Sequence, residues 1–109
     1  MKHFVAYTIA LEAARQLVPS LSAIKQKDRE LHTQIRRATH SLVLNLAEGN
    51  RRRGQDRVHF FRIASGSAAE ILAALELAEA WAYLTDDKSA KAKYLLDQIL
   101  AILYRLTEP

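Results

Sequence analysis

Apolar residues recur at intervals of three and four along almost the whole 109-residue chain. This spacing restricts the chain to helices, because it keeps apolar side chains on one face of a 3.6-residue turn. No run alternates apolar and polar residues as a half-buried strand requires. Only three glycines and two prolines interrupt the pattern. The sequence therefore predicts an all-α protein of four helices, in a single domain over residues 1–109.

The first helix is predicted over about residues 3–25. Its apolar seam is formed by Phe4, Tyr7, Leu11, Ala14, Val18 and Leu21. Pro19 interrupts this run, which leaves two alternatives, two short helices or one kinked helix. The seam keeps its phase across the proline, and this favours one helix kinked near Pro19.

The second helix is predicted over about residues 29–49, with Gly49 as its stop. Its seam is formed by Leu31, Ile35, Ala38, Leu42, Asn45 and Gly49, and Leu46 widens it. The fourth helix is predicted to follow the Thr85-Asp86-Asp87 cap and to run to about Leu106. Its seam is formed by Ala92, Leu95, Ile99, Ile102 and Leu106, with Leu96 and Leu103 beside it.

The third helix is predicted to begin at Gln55 or Asp56, to end near Leu84, and to carry two apolar stripes. The first stripe is Phe61, Ala64, Ala68, Ile71, Leu75, Ala78 and Ala82. The second stripe is Phe60, Ile63, Ser67, Ala74, Leu77, Trp81 and Leu84. A helix apolar around so much of its circumference has neighbours on more than one side. The second stripe is a candidate subunit interface, unless loops or the first helix cover it.

Short connections join these helices, and helices joined in this way run antiparallel beside one another. The expected architecture is an antiparallel up-down-up-down four-helix bundle, with its first helix kinked near Pro19.

The net charge of +4 is concentrated in one third of the sequence. Residues 29–62 contain eight arginines and three acids, a net charge of +5. The guanidinium fork matches phosphate geometry, so a polyanionic partner is predicted. The candidate nucleic-acid-binding residues are Arg36, Arg37, Arg51, Arg52, Arg53 and Arg57. The alternative is a solvated turn in which some of these arginines pair with Glu48 or Asp56.

Three polar residues, Asn45, Glu48 and Glu70, lie on or beside the apolar stripes. Burying them unpaired would be costly. They are therefore predicted to be buried structural residues that are hydrogen-bonded or paired with arginine, with Glu48 or Glu70 accepting from Arg37 or from the 51–53 cluster. The alternative is a rim position with the carboxylate in water.

The sequence lacks the residues that several kinds of chemistry require. There is no cysteine, no Glu-x-x-His pair for a di-iron site, and no phosphate-binding glycine loop. We therefore expect no enzymatic activity, no cofactor and no metal site. Gly66 is predicted to allow close helix approach. The N-terminal segment carries Glu12 and Arg15, so it is neither a signal peptide nor a membrane span, and the expected location is cytoplasmic.

Five motifs carry a family resemblance. They are Gln34-Ile35-Arg36-Arg37-Ala38, Ser41-Leu42, Asn45-Leu46-Ala47-Glu48-Gly49, Phe61-Arg62-Ile63-Ala64, and Gly66-Ser67 with Ala69-Glu70. Over roughly residues 31–84 the chain resembles the four-helix-bundle proteins encoded in 23S rRNA intervening sequences. It is also similar to the related accessory variability proteins of diversity-generating retroelements.

This resemblance implies a non-enzymatic bundle that forms a ring-like homo-oligomer, commonly a pentamer. The retroelement relatives bind nucleic acid and partner with a reverse transcriptase, so RNA or DNA, a reverse transcriptase and copies of the chain itself are the implied partners. Two function hypotheses stay open: an oligomeric nucleic-acid-binding protein, and a protein-interaction module that docks a polypeptide on the second stripe of the third helix.

Overall fold

The computed structural model describes residues 4–108, which form five helices and no strand. These helices are α1 (Val5–Gln16), α2 (Val18–Lys27), α3 (Arg29–Arg51), α4 (Gly54–Ala80) and α5 (Asp86–Thr107). The all-helical class is thus confirmed for the described part of the chain. The predicted start of the first helix at residue 3 lies outside it.

The predicted single kinked helix is wrong, and the alternative of two short helices is observed. Leu17 alone separates α1 from α2. Its backbone remains near helical, and its N–H donates to the Ala13 carbonyl at 2.9 Å. Pro19 lies in the first turn of α2, where a missing N–H costs no intrahelical bond. The chain therefore bends at Leu17 with little loss of hydrogen bonding.

The buried seam of α1 and α2 is displaced by one position from the predicted seam. Its members are Ala6, Ala10, Ala13, Leu17, Ser20 and Ile24. The spacing between packed helices depends on the side chains at the contact, so three alanines permit a close approach of α1 to α5. The predicted seam is half-buried or exposed instead, and Val18 is 61% exposed. Four of its members, Tyr7, Leu11, Ala14 and Val18, are called the N-terminal apolar stripe below.

The core stripes of the later helices largely follow the sequence. In α3 the buried residues are Leu31, Ile35, Ala38, Leu42, Leu46 and Gly49. In α4 they include Phe61, Ala64, Ala68, Ile71, Leu75 and Ala78. Ala82 lies beyond the end of α4 and is exposed, and Leu106 of α5 is 41% exposed. Leu96 and Leu103 take the central positions of α5 instead.

Gly49 does not end α3, which continues to Arg51. A Cβ atom on Gly49 would lie 2.5 Å from Cε1 of Phe61, closer than carbon atoms approach. Phe61 is fully buried and stacks on Phe4, with ring centroids 5.5 Å apart. Gly49 therefore allows α3 and α4 to meet closely. Gly66, predicted to have that role, is exposed with open space around it in the single chain.

The helices pack in a continuous circuit, with α3 against α4, α4 against α5, α5 against α1, and α1 and α2 against α3. The largest of these interfaces joins α3 to α4. The described molecule is elongated, about 42 × 25 × 22 Å. Its two ends are therefore well separated.

Among the described residues one helix, α4, is long and apolar enough to cross a membrane by length and composition. One such helix is weak evidence, because the core helix of a soluble protein passes the same test.

Only Arg52 and Arg53 separate α3 from α4, and both have extended backbones. The turn is completed by Gly54, whose φ of 59° lies in the left-handed region. Side chains other than glycine or asparagine are strained there. The junction is therefore short and conformationally specified.

We expect Gly54→Ala to lower the free energy of unfolding by about 1 kcal/mol, because the added Cβ is strained at positive φ although no atom lies near it. Asparagine tolerates this conformation better, so Gly54→Asn should lose less than Gly54→Ala. Urea unfolding of both variants measures the difference. Equal losses would show that left-handed strain is not the cause.

Candidate nucleic-acid interface

Arginines from three helices gather at one end of the molecule. The α3–α4 junction places Arg51, Arg52, Arg53 and Arg57 there. Arg62 of α4 reaches the last turn of α5, where its Nη2 donates to the Thr107 carbonyl at 3.2 Å. Arg105 occupies that same last turn and is exposed. These residues, Arg51, Arg52, Arg53, Arg57, Arg62 and Arg105, are called the arginine end.

Arg52 is held by two carboxylates. Its Nε donates to Glu48 at 2.7 Å, and its Nη1 donates to Asp56 at 3.2 Å. The hydrogen bond with Glu48 is the main cause that raises the pKa of Arg52. The guanidinium also lies 5.2 Å from the ring centroid of Phe60. Arg52 therefore ties the last turn of α3 to the first turn of α4, which confirms the predicted pairing of Glu48 with the 51–53 cluster. For Arg52 this is also the pairing with Glu48 and Asp56 that the solvated-turn alternative predicts.

Other arginines of this end are available to an anion. Arg51 and Arg53 are exposed, and no side-chain hydrogen bond or ion pair engages them among residues 4–108. Arg57 is half-buried, with its guanidinium 4.9 Å from the ring centroid of Phe61. Burial of its stem fixes its position but leaves its charge intact. Arg51 and Arg53 are therefore the residues best placed for phosphate contact.

Arg36 and Arg37 do not join the arginine end. Both are exposed on α3, and 14 residues separate Arg37 from Arg51, about 21 Å along the helix. Arg36 belongs to a separate basic region with Arg29 and Lys25. The pKa of His32 is lowered, mainly by its desolvation and then by the positive charges of these three residues. The six predicted binding arginines thus divide into two regions.

Asn45 forms part of a polar cluster between α3 and α4. Its Nδ2 donates to the Ser41 carbonyl at 2.8 Å and to Ser41 Oγ at 3.2 Å. Ser67 Oγ donates across the interface to Ser41 Oγ at 2.7 Å. The predicted hydrogen bonding of Asn45 is confirmed. The link between Ser41 and Ser67 was not predicted, because no spacing rule connects residues of different helices.

Glu70 is exposed in the single chain, and the described residues supply it with no hydrogen bond or ion pair. The arginine pairing was predicted for Glu48 or Glu70, and Glu48 provides it, whereas the prediction that Glu70 is a buried, hydrogen-bonded residue is wrong. The rim alternative, with the carboxylate in water, describes its position.

The end opposite the arginines has a different chemistry. Lys93 Nζ lies 2.9 Å from Glu79 Oε2 and also pairs with Asp86. The pKa of Lys93 is raised, mainly by its hydrogen bond with Asp86 and next by its hydrogen bond with Glu79. Asp28 caps α3 through the Leu31 N–H at 2.9 Å and accepts from the Tyr83 hydroxyl. In the part of the chain that the structure covers, no group of three or more metal-binding side chains occurs.

The fold and this surface define a class, a small all-helical protein with exposed arginines collected at one end. Within that class, the family model described as 23S rRNA-intervening sequence protein matches residues 2–105, so the chain belongs to that family. No curated protein matches the chain.

A solved structure supports the fold. It is a crystal structure of a protein with unknown function from the S23 ribosomal protein family of Bacteroides thetaiotaomicron. The TM-score is 0.84 at 21% identity, covering 95% of this chain and 99% of that one. At this identity the likeness establishes the fold alone.

Proposed function

We propose that the protein is a non-enzymatic, oligomeric nucleic-acid-binding protein that holds the backbone of RNA or DNA at its arginine end. The observation that carries this proposal is the exposure of Arg51 and Arg53 without an ion-pair partner, beside the further charges of Arg57, Arg62 and Arg105. The guanidinium fork matches phosphate geometry, and phosphate contacts position a protein on nucleic acid without reading its sequence. Recognition therefore follows backbone shape and charge, with little sequence readout.

The proposed architecture is an antiparallel up-down-up-down four-helix bundle in which α1 and α2 form one bent arm. The contacts between α3 and α4 support it. Gly49, near the end of α3, meets Phe61, near the start of α4, whereas the earlier Ser41 meets the later Ser67. Such pairs, converging in sequence toward the turn, are those of an antiparallel hairpin.

Assembly is the second part of the proposal. By family resemblance the protein forms a ring-like homo-oligomer, a pentamer. From its residues we expect it in the cytoplasm, without a cofactor, metal or membrane partner. In such a ring the arginine ends share one face, and weak phosphate contacts add through multivalency. A reverse transcriptase is a proposed partner by analogy with the retroelement relatives.

A second candidate function is docking of another polypeptide on the outer side of α4. Ile63 is 38% exposed, Leu77 39% and Trp81 56%, so these three members of the predicted second stripe are uncovered in the single chain, whereas Ser67 and Leu84 are buried. Exposed apolar patches of this kind mark protein contacts.

A salt titration of binding to a structured RNA and to a DNA duplex tests the proposed function. Backbone binding releases counterions, so the logarithm of the association constant should fall by about 0.9 for each phosphate contacted per decade of salt on duplex DNA. Co-purified nucleic acid from native lysate gives an independent readout. A flat salt dependence would contradict phosphate contact and favour polypeptide docking.

A further inference from the structure

We propose that copies of the chain associate side by side in the same orientation. The outer face of α4 in one copy packs against α3 and the N-terminal apolar stripe of the next. This inference rests on the proposed assembly and specifies which surfaces form it. It assigns a role to two apolar stripes that the core of the single chain leaves partly uncovered.

The first surface is the outer face of α4, formed by Ile63, Gly66, Ala73 and Leu77, and continued by Trp81 just beyond the end of the helix. The exposed Glu70 lies on the same stripe, between Gly66 and Ala73. Only 33% of the most apolar 18-residue window of α4 is buried in the single chain. Small residues alternate with larger ones along it, and the space around Gly66 is open. This face can therefore receive a protruding side chain of another molecule.

The second surface lies on a different side of the molecule, where α1 and α3 meet. A shallow apolar depression there is lined by Ala14, Thr39, His40, Val43 and Leu44. Leu44 protrudes at its edge with 66% of its surface exposed. The N-terminal apolar stripe extends the depression, so the exposed apolar residues here form a continuous surface.

The two surfaces match in height along the molecule. The contact of Gly49 with Phe61 gives a common origin. Leu44 lies five residues before Gly49, and Gly66 lies five residues after Phe61. At 1.5 Å per residue, each is about 7.5 Å from that contact. Copies standing side by side in the same orientation therefore bring the protruding Leu44 of one opposite the open surface at Gly66 of the other.

The charges match in the same arrangement. His40 lies nine residues before Gly49 and Glu70 nine residues after Phe61, so these two residues share a height. Arg36, one turn from His40, lies at a height between Glu70 and Glu76. The guanidinium group of Arg36 and the imidazole N–H of His40 thus lie on the α1–α3 surface. The exposed carboxylate of Glu70 lies within the α4 face, and that of Glu76 at its edge. Glu70, which has no partner inside the single chain, gains one in the next copy.

The two surfaces differ, and each copy carries one of each. The same contact can therefore repeat from copy to copy until a ring closes. This arrangement keeps all arginine ends on one side. The competing arrangement is a two-fold pair in which α4 packs against its own copy, with Arg62 near the carboxylates of the partner.

Cysteine pairs distinguish these arrangements, because the chain contains no native cysteine. Leu44→Cys and Gly66→Cys are exposed substitutions, so neither disturbs the core. We expect a short bis-maleimide reagent to link a mixture of the two variants into a dimer, and the double variant into a ladder of multimers. Neither single variant should link to itself. Ala101→Cys, exposed on α5, is the control and should not link to Gly66→Cys.

Two outcomes would overturn the inference. Linking of Gly66→Cys to itself would indicate the two-fold pairing, and absence of linked dimers from variants that still associate by light scattering would show that the surfaces do not meet. Loss of association in Leu44→Cys or Gly66→Cys, but not in Ala101→Cys, would instead support the contact. The experiment is done without nucleic acid, so it is independent of phosphate binding. Salt-dependent RNA binding without cross-links would contradict the interface alone, whereas cross-links without RNA binding would contradict the proposed function alone.

Discussion

Replacing both Arg51 and Arg53 with glutamate is expected to weaken binding to structured RNA by at least about 100-fold near physiological salt. Each substitution removes a cation that the fold leaves free for phosphate and introduces a repelling carboxylate. In the proposed oligomer the arginine ends share one face, so the loss would be multiplied over the copies in contact. A binding isotherm by fluorescence anisotropy measures the change, and the salt slope should decrease with it.

The matched control makes the same change of net charge at the other end of the molecule. Lys27 and Lys88 are exposed, near the end of α2 and the start of α5. Lys27→Glu with Lys88→Glu should change RNA affinity only slightly, because these charges lie beyond a Debye length of about 8 Å from the arginine end. Equal losses in both double variants would mean that net charge alone governs binding. An unchanged affinity after reversal of Arg51 and Arg53 would remove the arginine end as the interface.

Gly49→Ala is expected to lower the free energy of unfolding by about 1–3 kcal/mol, although alanine forms helix better than glycine by about 1 kcal/mol. The added methyl group would overlap the buried Phe61 ring, which Phe4 stacks against and cannot readily release. The sign of the change in unfolding free energy distinguishes helix propensity from steric overlap. A helix-propensity effect alone would stabilise the protein, whereas the steric effect destabilises it, and urea unfolding measures which prevails.

Phe61→Leu provides the test of mechanism. The smaller side chain removes the ring edge that a Cβ at position 49 would meet. Gly49→Ala should therefore cost less in the Phe61→Leu background than in the wild type, giving a coupling energy of about 0.5–3 kcal/mol. Additive losses in the double variant would show that Gly49 is required for a reason other than the ring.

Much of the fold follows from the sequence because large apolar residues at helical spacing have few alternatives. The core stripe of α4 from Phe61 to Ala78 is an example. The seam of α1 was misassigned because two apolar stripes lie one residue apart. Apolarity favours the stripe with Tyr7 and Leu11, but close packing on α5 selects the alanines.

Residues of the candidate site could be predicted only where they are neighbours along the chain. Glu48 and Arg52 are four residues apart on adjoining turns, so their pairing could be anticipated. Arg105 lies more than forty positions from the 51–57 cluster, and only packing of α4 on α5 brings it near. The burial predicted for Glu70 is wrong because α4 presents this residue to solvent. The apolar residues beside it in the sequence do not reveal that orientation.

The packing of α1 has a consequence for biosynthesis. Its most extensive partner is α5, the last helix in chain order. While the ribosome is still making α5, the α3–α4 hairpin can already close across its two-residue turn, but α1 lacks the largest of the surfaces on which it packs. The first segment translated is therefore among the last to settle, and nascent chains stalled before α5 should be the form that proteases and chaperones engage.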